Sequence, residues 1–379
     1  MPHSPSAEAP AEAPPRSAAP VRGTEPTEPE APGTPEAPVL TVDGLAVTIS
    51  SARARAVRDV SFRVRRGEAV GLVGESGSGK TLICRSVLGL LPPGCDVSEG
   101  RIALGDEELT GLSRREWDRI RGTRIGAVFQ DPASYLNPSL TVGRQLAEPL
   151  RLKLGLGRSE AAERAVALFD AVGLHDPADV YHRYPFELSG GMLQRVLIAV
   201  AAACAPDLLV ADEATTALDV VVQAEVLALL ARMRHEHDLA LLLVTHDLAV
   251  VAEVCDRILV CYAGELVEDG PAEQVLTRPR HPYTEALLRV ASVGDWSRRE
   301  LDVIPGAPPE AGAELPGCRF ADRCAFAAPA CTAGPVPWRE AVPGHRVRCV
   351  RAGELELSGS PEGVAAGSGD GAPERQAAV

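Results

Sequence analysis

The chain has 379 residues, 45% of them hydrophobic, and a formal net charge of −14. That length suits one large domain with an appendage, or two domains. The acidic balance speaks against a nucleic-acid partner, which would need clustered Lys and Arg. The start shows no signal peptide, and the longest apolar run, VLIAVAAACA at 196–205, is shorter than the roughly 20 residues of a spanning helix.

Residues 1–38 hold 11 Pro and 6 Glu with no Phe, Tyr or Trp. Such a segment cannot bury enough apolar surface to offset its ordering entropy, so it is expected to be disordered. The Gly/Ala/Ser/Glu-rich residues 351–379 read the same way. Between them, apolar strand-like runs alternate with amphipathic helical patterns. EAVGLVG (68–74), DLLVADE (207–213) and ALLLVTH (240–246) predict buried strands. After Asp219 a helix should place Val222, Val226, Leu229, Leu230 and Met233 on one face. Strands alternating with helices imply an α/β domain around a mostly parallel sheet, over 39–294. From about Asp295 the composition turns to Pro, Gly and Cys, which suggests a small separate C-terminal module over 295–350.

GESGSGKT at 74–81 follows one predicted strand, precedes the helical TLICRSVLGLL, and fits G-x-x-x-x-G-K-[ST] at every fixed position. In such a loop, Gly74, Glu75, Ser76, Gly77, Ser78 and Gly79 turn backbone N–H groups toward phosphate oxygens. Lys80 reaches the outer phosphates and Thr81 ligates Mg²⁺. Taken alone, the loop does not separate ATPases from GTPases or small-molecule kinases. LLVADE ends a buried strand in two carboxylates: Asp212 would join the Mg²⁺ shell and Glu213 would polarise the attacking water. An isolated Asp-Glu pair is often only a solvated strand end, a reading that the loop at Gly74 weakens. ELSGGMLQR puts Ser189, Gly190 and Gly191 at a second anion-binding helix start. Gln130 and His246 each end an apolar strand, and His246 lies 33 residues after Glu213.

In this order and spacing the segments resemble the ATP-binding subunits of ABC transporters, over about 39–350. The resemblance implies a P-loop NTPase fold of ABC type with a helical signature subdomain and a small Cys-containing C-terminal extension. It makes GESGSGKT the Walker A loop and places Gln130 in the Q-loop, where it joins Thr81 and Asp212 around Mg²⁺. LSGGM becomes the signature, LLVADE the Walker B strand, TALD ending at Asp219 the D-loop, and His246 the switch histidine. VFQDPASYLNP, YPFELSGGM, HPYTEALL and PGCRF further resemble the oligopeptide/dipeptide/nickel importer branch. On the residues alone HPYTEALL is only a Pro-started amphipathic helix.

What the resemblance implies is an ATPase whose two ATP sites form between subunits. The expected partners are a second ATP-binding subunit, identical or paralogous, two transmembrane permease subunits and an extracytoplasmic solute-binding protein. The chain would sit peripherally on the cytoplasmic membrane face, with residues 130–137 toward the permease. A soluble, non-transport ABC ATPase is the alternative; a tandem core, a long heptad run or a basic surface would favour it, and none is present. Three positions depart from the family pattern. LAVTISSARARAV lacks the aromatic that stacks on adenine, leaving Ile49 or a neighbour to replace it. Ala214 stands where Pro usually follows Walker B, and Leu193 where the signature usually has a basic residue.

Cys318, Cys324, Cys331 and Cys349 are separated by five, six and seventeen residues. This is not the close-paired spacing of common zinc ribbons. On spacing, zinc and an iron–sulfur cluster stay equally open, beside a metal-free role; the importer resemblance implies a [4Fe–4S] cluster.

Overall fold

A computed structural model describes residues 37–52, 54–214, 219–291 and 303–359. The expected disorder of residues 1–36 and 360–379 and the D-loop residues 216–218 lie outside the described residues. Residues 351–359, expected to belong to a disordered tail, instead make specific contacts with the core at a few positions. Ala352 is buried, Arg351 donates to the Phe326 carbonyl, and Ser358 donates its N–H to Glu285.

The strands, in chain order, are β1 (Leu40–Ile49), β2 (Ala54–Val64), β3 (Ala69–Val73), β4 (Cys95–Leu104), β5 (Glu107–Glu108) and β6 (Ile125–Phe129). They continue with β7 (Leu208–Asp212), β8 (Ala240–Val244), β9 (Arg257–Tyr262), β10 (Glu265–Pro271), β11 (Arg339–Val342) and β12 (His345–Val347). Four of them form an antiparallel sheet in the order β2-β1-β4-β5. The larger sheet runs β11-β12-β10-β9-β3-β8-β7-β6. Its stretch from β9 to β6 is parallel, and β10, β12 and β11 extend it antiparallel. The three strands expected from apolar runs are β3, β7 and β8, and every residue of each is buried.

Side chains alternate across these parallel strands, so each strand feeds two cores. Leu209, Ala211, Leu241 and Leu243 face one core; Leu208, Val210, Leu242 and Val244 face the other. The second core is closed by β1, β2 and the helix after the Gly-rich loop, α1 (Lys80–Val87), with α2 (Arg114–Ile120) beside it. The first core carries most of the remaining helices. α3 (Pro132–Tyr135), α4 (Val142–Leu154), α5 (Arg158–Ala171), α6 (Pro177–Val180) and α7 (Gly190–Ala202) form a helical layer around buried Leu146, Leu150, Phe169 and Ile198. This is the expected helical signature subdomain. α8 (Val220–His237) buries Val226, Leu229 and Leu230, with Val222 and Met233 partly buried against the same core, as the periodicity predicted. α9 (Leu248–Val254), α10 (Ala272–Thr277) and α11 (Pro282–Ala291) complete the order.

The C-terminal segment is not separate from the core, contrary to the compositional expectation. β12 pairs with β10, Glu268 opposite Val347, so the large sheet continues into it. A buried polar knot locks the joint. The Glu268 carboxylate, fully buried, accepts the N–H groups of Arg280 and His281 and the Thr284 hydroxyl, and His345 Nε2 lies 2.7 Å from it. A buried carboxylate needs such a full set of partners, since an unpaired one would carry a desolvation cost of several kcal/mol. His281, also buried, has its pKa pushed down to about 3 by desolvation and so stays neutral.

Candidate ATP site

The Gly-rich loop connects β3 to α1. Gly74 has φ 151°, and a Cβ there would sit 2.1 Å from the Cys261 carbonyl oxygen on β9, so only glycine fits. Gly79, at φ 107°, is the residue before α1 and sets the turn into the helix. The loop is pinned from beneath: Ser78 O accepts from the Gly264 N–H at 2.7 Å and from Cys261 Sγ at 3.1 Å. Lys80 folds back on the loop, donating to the carbonyls of Gly74 at 2.8 Å and Glu75 at 2.9 Å. It is only 4% exposed, and burial lowers its pKa against the opposing pull of Glu213, Asp212 and Glu75.

Beside the loop lies a cavity of about 420 Å³ lined by Ser76, Thr81, Gln130, Asp212 and Glu213, together with Arg85, Phe129, Asp131, Ser134 and Tyr135. Parallel pairing brings these groups together. β6 and β7 are neighbours with Phe129 opposite Asp212, so Gln130 emerges next to the two carboxylates. Asp212 is buried, its Oδ1 has no hydrogen-bond partner, and burial followed by the Glu213 charge raises its pKa. An orphaned buried carboxylate oxygen on a cavity that Thr81 and Gln130 also line offers oxygen donors of the kind that suit Mg²⁺. Glu213 holds a left-handed backbone at φ 51°, with its N–H bonded to Val244 O at 2.8 Å. For a non-glycine residue that conformation costs roughly 1–2 kcal/mol. Its Oε1 lies 3.5 Å from Nδ1 of His246, two residues beyond the end of the neighbouring β8.

The signature residues stand elsewhere. Ser189 caps α7, its Oγ accepting the Met192 N–H at 3.4 Å, and Gly190 has open space where a Cβ would be. Neither these nor Gly191 lines the cavity. Asp219 caps α8 by accepting the Val222 N–H at 3.0 Å. Ile49 closes β1, paired with Ala54 and Cys95.

Several lining residues escaped the sequence reading. Arg85 stands four residues after Thr81 in α1, a spacing that puts both on one helical face and could have revealed it. Tyr135 stacks on Phe129 at 4.6 Å between ring centroids; no motif announces that contact.

Residues 57–216 match the ABC transporter family, and residues 267–331 match the C-terminal region of oligopeptide/dipeptide transporters. The dipeptide transport ATP-binding protein DppD of Bacillus subtilis is 43% identical over 289 residues, covering 76% of this chain and 86% of that protein. DppD of Escherichia coli is 41% identical over 314 residues, with 82% and 96% covered. The chain belongs to the ATP-binding proteins of the ABC transporter family. A dimeric ATP-binding cassette, MJ0796, solved in a post-hydrolysis state with ADP and Pi, superposes with a TM-score of 0.56 at 28% identity. It covers 62% of this chain and 98% of that one. The cbiO1 protein of Clostridium perfringens gives the same TM-score at 27% identity over 63% of this chain and 91% of its own. As a member of this family the ABC ATPase binds and hydrolyses ATP with Mg²⁺. No described helix is long and apolar enough to cross a membrane.

The four C-terminal cysteines line a cavity of about 20 Å³ with Phe320, Phe326 and His281, and none is in a disulfide. Burial pushes the Cys318 thiol up to about 12, and the neighbouring Cys349, Cys324 and Cys331 add to that rise. Burial also raises Cys324 and Cys349. Among the described residues no group of three or more His, Cys, Asp or Glu is assembled to hold a metal ion. The thiols therefore share a cavity without forming a ready ligand set, and the expected iron–sulfur cluster has no support from their placement.

Proposed function

We propose that this ABC ATPase powers the import of di- or oligopeptides. It would work peripherally on the cytoplasmic membrane face, paired with a second ATP-binding subunit and docked on two permease subunits served by an extracytoplasmic solute-binding protein. The observation that carries this reading is the match of residues 267–331 to the oligopeptide/dipeptide transporter C-terminal region, on a chain with a cavity that Thr81, Gln130, Asp212 and Glu213 line together. The loop at 74–79 cradles the phosphates and Lys80 neutralises their outer charge. Thr81, Asp212 and Gln130 would hold Mg²⁺, which offsets charge on the β- and γ-phosphates. Glu213 accepts the proton of the attacking water, and His246 orients that carboxylate and contacts the γ-phosphate. Ser189, Gly190 and Gly191 would close on the γ-phosphate of the opposite subunit, with Asp219 beside the interface. ATP thereby bridges the dimer, and its hydrolysis releases the bridge. Residues 130–137 would carry that motion to the permease.

Reconstitution in liposomes with its permease tests the solute. Peptide-loaded binding protein should raise ATP turnover several-fold. Stimulation by nickel and not by peptides would reassign the cargo, and no response to either would favour a non-transport ATPase.

For the four cysteines, whose present placement does not form a ligand set, the importer resemblance alone motivates a proposed thiolate-bound group, [4Fe–4S] before zinc, which would require the thiols to close in and lose their protons on binding. Its role would be structural or redox-sensing, since the cavity lies apart from the cavity with Glu213. Protein purified without oxygen should be brown, with about four iron and four sulfide per chain, and Cys324→Ser should bleach it. Colourless protein with one zinc per chain would select zinc; metal-free protein with a folded C-terminus would end the metal reading.

A further inference from the structure

The Walker A loop is held by residues far outside it. Glu75, its second residue, has a carboxylate gripped in a two-pronged fork by Arg323. Arg323 Nη1 donates to Oε2 at 2.7 Å and Nη2 donates to Oε1 at 3.0 Å. Paired guanidinium–carboxylate bonds of this form are directional and charge-assisted, and they fix the orientation of both partners. The Arg323 side chain is 4% exposed, and its remaining donors are also used. Nε donates to Pro305 O at 2.9 Å, Nη2 to Ile304 O at 3.1 Å, and Nη1 to the Tyr262 hydroxyl at 3.2 Å. A guanidinium so fully engaged has little freedom to follow Glu75; the loop must conform to it.

A second tie reaches the same residue. The Glu75 N–H donates to the Tyr283 hydroxyl at 2.8 Å, and Tyr283 belongs to α11. Tyr283, Tyr262 and Phe320 pack as one aromatic cluster, with ring centroids 4.5 to 5.3 Å apart. Phe320 and the short turn at Ala321–Arg323 lie between Cys318 and Cys324, and Phe320 and Ala321 also line the cavity of the four thiols. On its third side, Glu75 O accepts from Lys80. Side chain, N–H and carbonyl of one loop residue are thus all fixed, two of them by residues outside the ATPase match at 57–216.

We propose that Arg323 is a positioning residue for ATP: its fork on Glu75 sets the backbone path of residues 74–76, and through it the aim of the N–H groups that take the phosphates. The C-terminal region then acts as a strut for the nucleotide loop and is needed for full ATP affinity. Arg323 touches no phosphate in this scheme and takes no part in bond breaking. Its effect should therefore fall on binding and leave the chemical step nearly intact.

The test uses the full chain and a non-hydrolysable ATP analogue with Mg²⁺, followed by calorimetry, with ATP turnover measured alongside. Arg323→Ala should weaken binding about tenfold, the size expected on losing a charge-assisted contact to a loop that must then be ordered by the ligand. Turnover at saturating ATP should stay within about threefold of the parent. Arg323→Lys, which keeps the charge and loses the fork, should fall between. Glu75→Gln leaves the other bonds of Arg323 in place and reads the same contact even where Arg323→Ala fails to fold. The double variant should bind no worse than the weaker single one, because both remove one interaction. Unchanged affinity in Glu75→Gln, additive losses in the double variant, or a loss confined to turnover would each overturn the assignment.

Discussion

Glu213→Gln should bind ATP as tightly as the parent and hydrolyse it at least about a thousandfold more slowly. Glutamine matches glutamate in shape, so the loop, the Mg²⁺ set and the fold are kept. What it lacks is the ability to take a proton from the attacking water. The position is built for that one atom. β7 delivers the residue to the end of the strand, the left-handed backbone turns it out of line, and the Val244 carbonyl holds its N–H. His246, two residues beyond the end of β8, has its Nδ1 3.5 Å from the carboxylate. ATP bound without hydrolysis should also trap the closed dimer, visible as a doubling of mass in light scattering on adding ATP. Turnover within about tenfold of the parent would remove Glu213 from the role of base.

Ser189→Arg should also keep ATP binding by the same chain and lose hydrolysis, by about a hundredfold, but unlike Glu213→Gln it should prevent the dimer from closing. Ser189, Gly190 and Gly191 do not line the cavity that holds Thr81, Gln130, Asp212 and Glu213. On the proposed reading, this motif serves the ATP site of a partner subunit, identical or paralogous. A long side chain at Ser189 would hold the two subunits apart. Loss of the Ser189 cap costs α7 roughly 1 kcal/mol as well, so Ser189→Ala, which loses the cap and the hydroxyl without adding bulk, should lose less hydrolysis than Ser189→Arg and still allow the dimer to close. If Ser189→Arg lost ATP affinity as a monomer, the signature would be acting within its own chain.

Much of this site was legible in the sequence because its chemistry is local. GESGSGKT needs only a strand before it and a helix after it, and both are visible as apolar runs. Asp212 and Glu213 follow four buried residues, and the same pattern exposes His246. The pairing of β6 with β7 was not legible, and it is what brings Gln130 to Asp212. The fork from Arg323 to Glu75 spans most of the chain and leaves no periodic trace. The misread C-terminal module has a definite cause. β11 and β12 have four and three residues around Pro343-Gly344, too short to outweigh a Pro- and Cys-rich composition, yet enough to add an edge to a sheet already formed. The cysteines show the reverse case. Their number suggested a metal site, and the fold brings them to one cavity without arranging them as ligands.

The central claim, that ATP turnover at Glu213 drives peptide import, is tested most directly by uptake of a labelled dipeptide. Cells carrying the matching permease and binding protein would be compared with the parent chain, with Glu213→Gln, or with no chain. Uptake should be present with the parent and fall to the level of the empty cells with Glu213→Gln, while the variant remains at the membrane in equal amount. Uptake by Glu213→Gln at the parent's rate would contradict the account.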